Sequence, residues 1–359
     1  MTITNVNIYN TDAKRFLHGL LEIENGIITD IVYDSDVGDR YIIPGLVDVH
    51  THGRAGFDFT SANESELKRM CRSYAAVGTT TVFATFATAP HETYKKAVNT
   101  IKNVPHIAGI HFEGRYLNAK RRGAHDTKLF TLPNVREITE LINLTDPLPS
   151  YITMAPELDG GEDFIKAAKS LNAVVSLGHS DATYDEAMKS FDWGITSITH
   201  LFNAMAPLHH REPGAIGAAL TTDVYTEVIC DGFHIHPAVI KLIYLAKNKD
   251  YIVLVSDSME ATGCPDGDYS IAGLPVIVRD GKAMEPNGTI AGSTINLFDG
   301  VKNFMQYCDL PLEEVLPFAT VNPARMVGLN NVGEIKIGYK ADLVILKADK
   351  STIDEVYYV

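Results

Sequence analysis

His50 and His52 stand two positions apart at the end of an apolar run, Leu46-Val47-Asp48-Val49-His50-Thr51-His52. In an extended strand, positions two apart share a face, so both imidazoles can meet one ion. Polar residues close further apolar runs in the same way: His111-Phe112-Glu113, Leu177-Gly178-His179, Ile198-Thr199-His200 and Val255-Ser256-Asp257. Imidazole and carboxylate together suit divalent cations such as zinc or iron. Metal ligation is therefore expected from His50, His52, Glu113, His179, His200 and Asp257, a set able to hold one or two divalent ions with Glu113 bridging. A bound divalent ion lowers the pKa of its water towards about 7 and so supplies a nucleophile at neutral pH. Asp257 can take the proton from that water and return it to a leaving amine.

Each of these residues has an ordinary role when taken alone. Glu113 can be a salt-bridged carboxylate, His179 or His200 a hydrogen-bonded core histidine, and Asp257 a helix N-cap. Their recurrence at the ends of successive apolar runs is what favours a metal-dependent hydrolytic site.

Eight such runs, at 46–52, 79–86, 107–113, 151–157, 173–179, 197–202, 225–231 and 251–257, alternate with longer helical stretches. Eight parallel βα units close a (β/α)8 TIM barrel, whose active sites form at the carboxyl ends of the strands. The expected fold is thus α/β, with the barrel spanning 45–324. Period-two alternation at 3–9, 20–23 and 27–33, and again at 332–337 and 341–346, predicts strands from both termini. These are expected to form a small β-sandwich domain from 1–44 and 325–359. Asp-Gly pairs and β-branched runs predict a β-hairpin insertion near 263–289, and Asn322-Pro323-Ala324 is read as opening the last barrel helix.

Composition narrows the partners. The 359 residues are 45% hydrophobic and 21% charged, values of an ordinary globular chain, with a formal charge of −14. Such a field disfavours nucleic acid and anionic membranes. Cys71, Cys230, Cys264 and Cys308 are scattered and read as free thiols. No basic leader, no run long enough to span a bilayer and no internal repeat is evident, so a cytoplasmic location is expected.

Pro44-Gly45-Leu46-Val47-Asp48-Val49-His50-Thr51-His52-Gly53 resembles the metal-binding opening of the amidohydrolase superfamily. His111-Phe112-Glu113-Gly114, Gly123-Ala124-His125, Gly178-His179-Ser180, Thr199-His200-Leu201-Phe202-Asn203-Ala204-Met205, Asp231-Gly232-Phe233-His234 and Ala291-Gly292-Ser293 are similar to the N-acetylglucosamine-6-phosphate deacetylase family. The resemblance runs through nearly the whole chain. It implies hydrolysis of the acetamide of a phosphorylated amino sugar, with Glu113, His179 and His200 as main ligands and His50 and His52 as the pair present in two-ion members. It makes Asp257 the catalytic acid/base and His125 the residue that orients or polarises the acetyl carbonyl. It assigns substrate contacts to Ala124, His125, the backbone at Asn203 and Ala204, Arg211, His234, and the closing segment Ile290, Ala291 and Gly292. In the family the arginine comes from a neighbouring subunit, so a homodimer in which Arg211 reaches the adjacent site is implied.

The chain departs from the family at Arg115-Tyr116, where Pro-Phe is usual, which removes a residue that fixes φ in that loop. Arg115 either adds a cation near the site or lies in solvent. The run Lys120-Arg121-Arg122 is read as a solvated loop or as an aid to attracting an anionic substrate. Competing readings are a cyclic-amide hydrolase, a nucleobase deaminase or a catalytically silent barrel. Glu113 occupies the bridging role that a carbamylated lysine has in many cyclic-amide hydrolases, and no expected ligand is missing.

Overall fold

The computed structural model describes residues 1–36, 38–102 and 104–358. Its centre is a (β/α)8 barrel of eight parallel strands: Leu46–Thr51, Thr79–Phe86, Ile107–Glu113, Ser150–Met154, Val174–Leu177, Ser197–Ile198, Tyr225–Ile229 and Ile252–Val255. The strands pair in chain order, and the Asp257 amide donates to the His50 carbonyl at 2.9 Å, joining the eighth to the first. All eight expected runs are strands.

Several strands stop earlier than their apolar runs suggest. The fifth ends at Leu177, before His179, and the sixth at Ile198, before His200. His179, His200 and Asp257 have φ of 47°, 31° and 47°, in the left-handed region. That conformation leaves the extended path, so pairing ends there and the side chain is redirected.

Amphipathic helices ring the barrel. Glu64–Ala75 starts at an Asn63 capping box with Glu66 and buries Leu67, Met70, Cys71, Tyr74 and Ala75, a stripe at helical spacing. Val135–Thr145 is capped by Asn134 and buries Ile138, Leu141 and Ile142. Inside the barrel, Val47, Val49, Phe83, Tyr151, Val253 and Val255 pack below the rim. The last helix is Val321–Met326, where Asn322-Pro323-Ala324 predicts it.

Both ends of the chain enter one six-stranded mixed sheet, ordered Ile353–Tyr357, Leu343–Leu346, Tyr41–Pro44, Thr2–Asn10, Arg15–Glu24 and Ile27–Tyr33. It packs over Val6, Ile8, Leu21, Ile28, Ile42 and Leu343. The expected strand at 332–337 is not one. Val332 and Ile335 are buried from an irregular segment, whose neighbourhood is tied down by Lys340 N–H to the Asn331 carbonyl at 3.0 Å and Gly338 N–H to the Ile28 carbonyl at 2.8 Å. Burial there follows Val332, Gly333 and Ile335 rather than every second residue, and the segment makes no ladder.

The insertion has one strand more than a hairpin. Gly267–Ile271, Leu274–Arg279 and Lys282–Met284 form a three-stranded antiparallel sheet over a core of Met259, Ala261, Ile271, Val276, Val278 and Ala283. All four cysteines are free. No helix among the described residues is long and apolar enough to cross a membrane.

Candidate active site

Glu113, the last residue of the third barrel strand, is the hub of the rim. Its Oε1 lies 3.1 Å from His179 Nε2, 3.1 Å from His200 Nε2 and 3.5 Å from His50 Nε2, and its Oε2 lies 3.0 Å from His52 Nε2. Asp257 Oδ1 is 3.3 Å from His52 Nε2 and 3.5 Å from His50 Nε2. The six residues expected as ligands are thus brought together, and all are buried. Holding three of them in left-handed conformations costs about 1–3 kcal/mol each, a strain typical of functional positions.

Electrostatics set the charge of each group. Burial opposes ionisation of Glu113, yet the charge of His50 and the close ring nitrogens of His125, His179 and His200 hold it well below the usual carboxylate range. Burial likewise works against an ionised Asp257, but the charge of His50 and the hydrogen bond from His52 bring it down to about 2. Burial pushes His179 down to about 4. Burial also disfavours charge on His52, which the bonds to Asp257 and Glu113 raise to about 9. His111 is held neutral by burial and by the nearby His50, and its ring bonds Thr153 and Thr85 at 2.7 and 3.2 Å, so this histidine buttresses the strands.

The donor set fits divalent cations. His179 Nδ1 donates to the Arg121 carbonyl at 2.9 Å, which leaves its Nε2 lone pair facing His200 Nε2 at 3.0 Å and Glu113 Oε1 at 3.1 Å. Three ligand atoms this close have the arrangement that a divalent cation takes. On the other side, His50 Nδ1 donates to Glu227, and His50 Nε2 is buried with no hydrogen-bond partner. Two triads, His50-His52-Glu113 and Glu113-His179-His200, have the spacing of metal ligands.

A cavity of about 260 Å³ opens over this cluster. His125, Ala124, Asn203, Ala204, His234, Ile290 and Gly292 line it, as do Gly123, Phe202, Ile271 and Thr289. Thr88 donates its amide to His125 Nδ1 at 3.3 Å and its hydroxyl lies 2.8 Å from the same atom. His125 Nε2 therefore carries the proton and serves as a donor into the cavity. A side chain at Gly123 would put its Cβ 2.8 Å from His179 Cε1, so only glycine lets this loop approach the cluster.

Of the other expected contacts, Asn203 lines the cavity with its amide engaged, while Ala291 and Arg211 do not line it. The Asn203 amide already donates to the His200 carbonyl at 2.9 Å, which commits it to shaping the loop. Ala291 is fully buried in the core of the three-stranded sheet, between the cavity-lining Ile290 and Gly292. Arg211 is exposed and lines a separate surface cavity of about 710 Å³ with Arg121, Asp181 and Tyr184. No lysine or arginine lines the cluster's own cavity among the described residues.

The structure adds residues that sequence reasoning missed. Thr88 fixes the His125 tautomer from the end of the second strand. Glu227 lies fully buried behind His50 and accepts its Nδ1–H at 2.9 Å, and a glutamate within the apolar run Tyr225-Thr226-Glu227-Val228-Ile229 was a readable signal. Asp231 accepts from His234 Nδ1 at 2.7 Å and so aims that ring. Arg115 neither faces the cavity nor lies in solvent: it is largely buried in an ion pair with Glu137. Its φ of 72° is closed to a proline ring. Lys120 and Arg121 pair with Asp181, and Arg122 with Glu285.

Residues 41–358 match the model of the amidohydrolase family. An N-acetylglucosamine-6-phosphate deacetylase from Vibrio furnissii is 34% identical over 364 residues, covering 94% of this chain and 91% of the relative. The chain belongs to the amidohydrolase family and, within it, to the N-acetylglucosamine-6-phosphate deacetylase family. An N-acetylgalactosamine-6-phosphate deacetylase from Escherichia coli O157:H7 is 33% identical to this amidohydrolase over 339 residues, covering 91% of the chain and 90% of the relative. A mutant N-acetyl-D-glucosamine-6-phosphate deacetylase from Mycobacterium smegmatis, solved in complex with N-acetyl-D-glucosamine-6-phosphate, superposes with a TM-score of 0.94 at 32% identity, covering 100% of this chain and 97% of that one. As an amidohydrolase the chain is a hydrolase, and its His and Glu triads are placed to bind the divalent metal that the family implies.

Proposed function

We propose that the chain removes the acetyl group from N-acetylglucosamine 6-phosphate, giving glucosamine 6-phosphate and acetate. The observation that carries this reading is the convergence of His50, His52, His179, His200 and Asp257 on Glu113, under a cavity lined by His125 beside the cluster and by His234. The named activities of the relatives support the choice of substrate.

Glu113 with His179 and His200 would hold one divalent ion, and Glu113 with His50 and His52 a second, zinc or iron by the chemistry of the donors. Such ions supply a water of lowered pKa and polarise the amide carbonyl. Asp257, ionised at neutral pH, accepts a proton as water attacks the carbonyl carbon and delivers it to the nitrogen as the C–N bond breaks. His125 Nε2–H donates to the carbonyl oxygen, where negative charge grows in the transition state.

His234, oriented by Asp231, and the Asn203-Ala204 turn receive the sugar and its phosphate, while Ile290 and Gly292 close over the ring. The absence of lysine and arginine among the described lining residues supports a homodimer in which Arg211 of a second copy completes the phosphate site. A cytoplasmic place of work belongs to the same proposal, because a phosphorylated sugar is too polar to cross a bilayer unaided.

One relative named for the galacto epimer favours a second reading, in which N-acetylgalactosamine 6-phosphate is the substrate. Acetate release from both 6-phosphates and from unphosphorylated N-acetylglucosamine tests the choice. The proposal expects the gluco 6-phosphate to turn over fastest. Faster release from the galacto epimer establishes the second reading, and equal release from the unphosphorylated sugar overturns both.

A further inference from the structure

We propose that Glu227 is a positioning residue that governs whether the His50-His52 side of the cluster holds an ion. The inference rests on the two-ion reading above. Glu227 sits in the seventh barrel strand and is fully buried. One carboxylate oxygen accepts from His50 Nδ1 at 2.9 Å and from the His200 amide at 3.1 Å; the other accepts from the Tyr151 hydroxyl at 2.7 Å. Glu227 does not line the cavity, so it acts on the reaction only through other residues.

Two consequences follow from this geometry. With Nδ1–H committed to Glu227, the ring orientation of His50 is fixed and its Nε2 is turned towards Glu113 and Asp257, each 3.5 Å away. A carboxylate behind an imidazole also makes that imidazole a stronger ligand, and losing such a partner typically weakens metal binding about 10–100-fold. The other half of the cluster lacks this device, since His179 is held by the neutral carbonyl of Arg121. His52 has none either, its Nδ1 being buried without a hydrogen-bond partner. Glu227 is also a buried carboxylate bonded by an imidazole, a phenol and an amide, with no lysine or arginine paired to it among the described residues. Cationic charge on the far side of His50 is the balance the site provides.

The test is cobalt(II) binding to metal-depleted protein, followed by visible absorption and by competition with a chelator. Wild type, Glu227→Gln and Tyr151→Phe are compared, with circular dichroism as the check on folding. Wild type is expected to take two ions per chain. Glu227→Gln, which keeps the shape and removes the charge, is expected to bind one ion at the parental affinity and the second about 10–100-fold more weakly. Tyr151→Phe, which removes a donor but keeps the carboxylate on His50, is expected to bind both with at most a few-fold change. Should Glu227→Gln fail to fold, Glu227→Asp retains the charge one methylene further from His50 and is expected to weaken the second ion alone. Two ions at parental affinity in Glu227→Gln, or equal weakening of both, overturns the role of Glu227. A single ion in wild type overturns the two-ion reading itself, and that result is read before any variant is made.

Discussion

The two ends of the active-site cavity are built by different means. At the chemical end, five side chains from barrel strand ends meet around Glu113, all six buried, three locked in left-handed conformations and backed by Glu227, Thr88 and the Arg121 carbonyl. At the other end, His234 and the Asn203-Ala204 turn come from loops, Ile290 and Gly292 from the margin of the insertion, and the described lining carries no lysine or arginine. The chemistry is assembled within one chain by rigid elements, whereas anion recognition depends on loops and, in the proposed reading, on a second copy. Variants at the first end should therefore act on kcat and metal content, and variants at the second on KM.

The sharpest test of that division is Asp257→Asn. Loss of the proton carrier is expected to lower kcat by about 10²- to 10⁴-fold while the fold and the ion on Glu113, His179 and His200 are retained, measured by acetate release, circular dichroism and elemental analysis. Parental turnover would break the assignment of the chemical end. Next, His179→Ala is expected to lower both metal content and kcat, by at least the roughly 10–100-fold that follows loss of a mere outer partner. A variant that changed KM alone would place His179 at the wrong end.

Arg211→Ala is expected to raise KM for the 6-phosphate about 10–100-fold with little change in kcat, the effect of removing one charged hydrogen-bond partner from a phosphate. Little change in KM would remove the second copy from the account. The smallest effect belongs to Thr88→Val, which keeps the side-chain shape but loses the hydroxyl beside His125 Nδ1. A fall in kcat of about 2- to 10-fold with unchanged metal content is expected, because the backbone amide of residue 88 still bonds that nitrogen.

The same contrast explains what the sequence made readable. The chemical end obeys a strong rule, since polar residues closing apolar strands in a barrel converge on one rim. His50, Glu113, His179, His200 and Asp257 could therefore be selected from residue type and position. Glu227 escaped that rule because it lies inside its strand and supports the rim from behind. His125, His234 and Arg211 lie on loops, where spacing dictates no geometry, and only resemblance to a family singled them out. Arg115 shows the limit plainly: its type suggested a cation for the site, but a left-handed backbone and Glu137 turn it away. In the β domain the strand expected at 332–337 failed for a related reason, since the sequence alternates but the residues it buries, Val332 and Ile335, are three apart and are held by loop hydrogen bonds rather than a ladder.

The central claim is that Glu113 and the histidines around it hold the divalent ions on which hydrolysis depends. Its most direct test is acetate release from N-acetylglucosamine 6-phosphate by protein stripped with a chelator, before and after zinc or iron is returned in stoichiometric amount. The account predicts negligible release from the stripped protein and recovery on adding metal to the wild type but not to His179→Ala. Undiminished release from stripped, metal-free protein would contradict it.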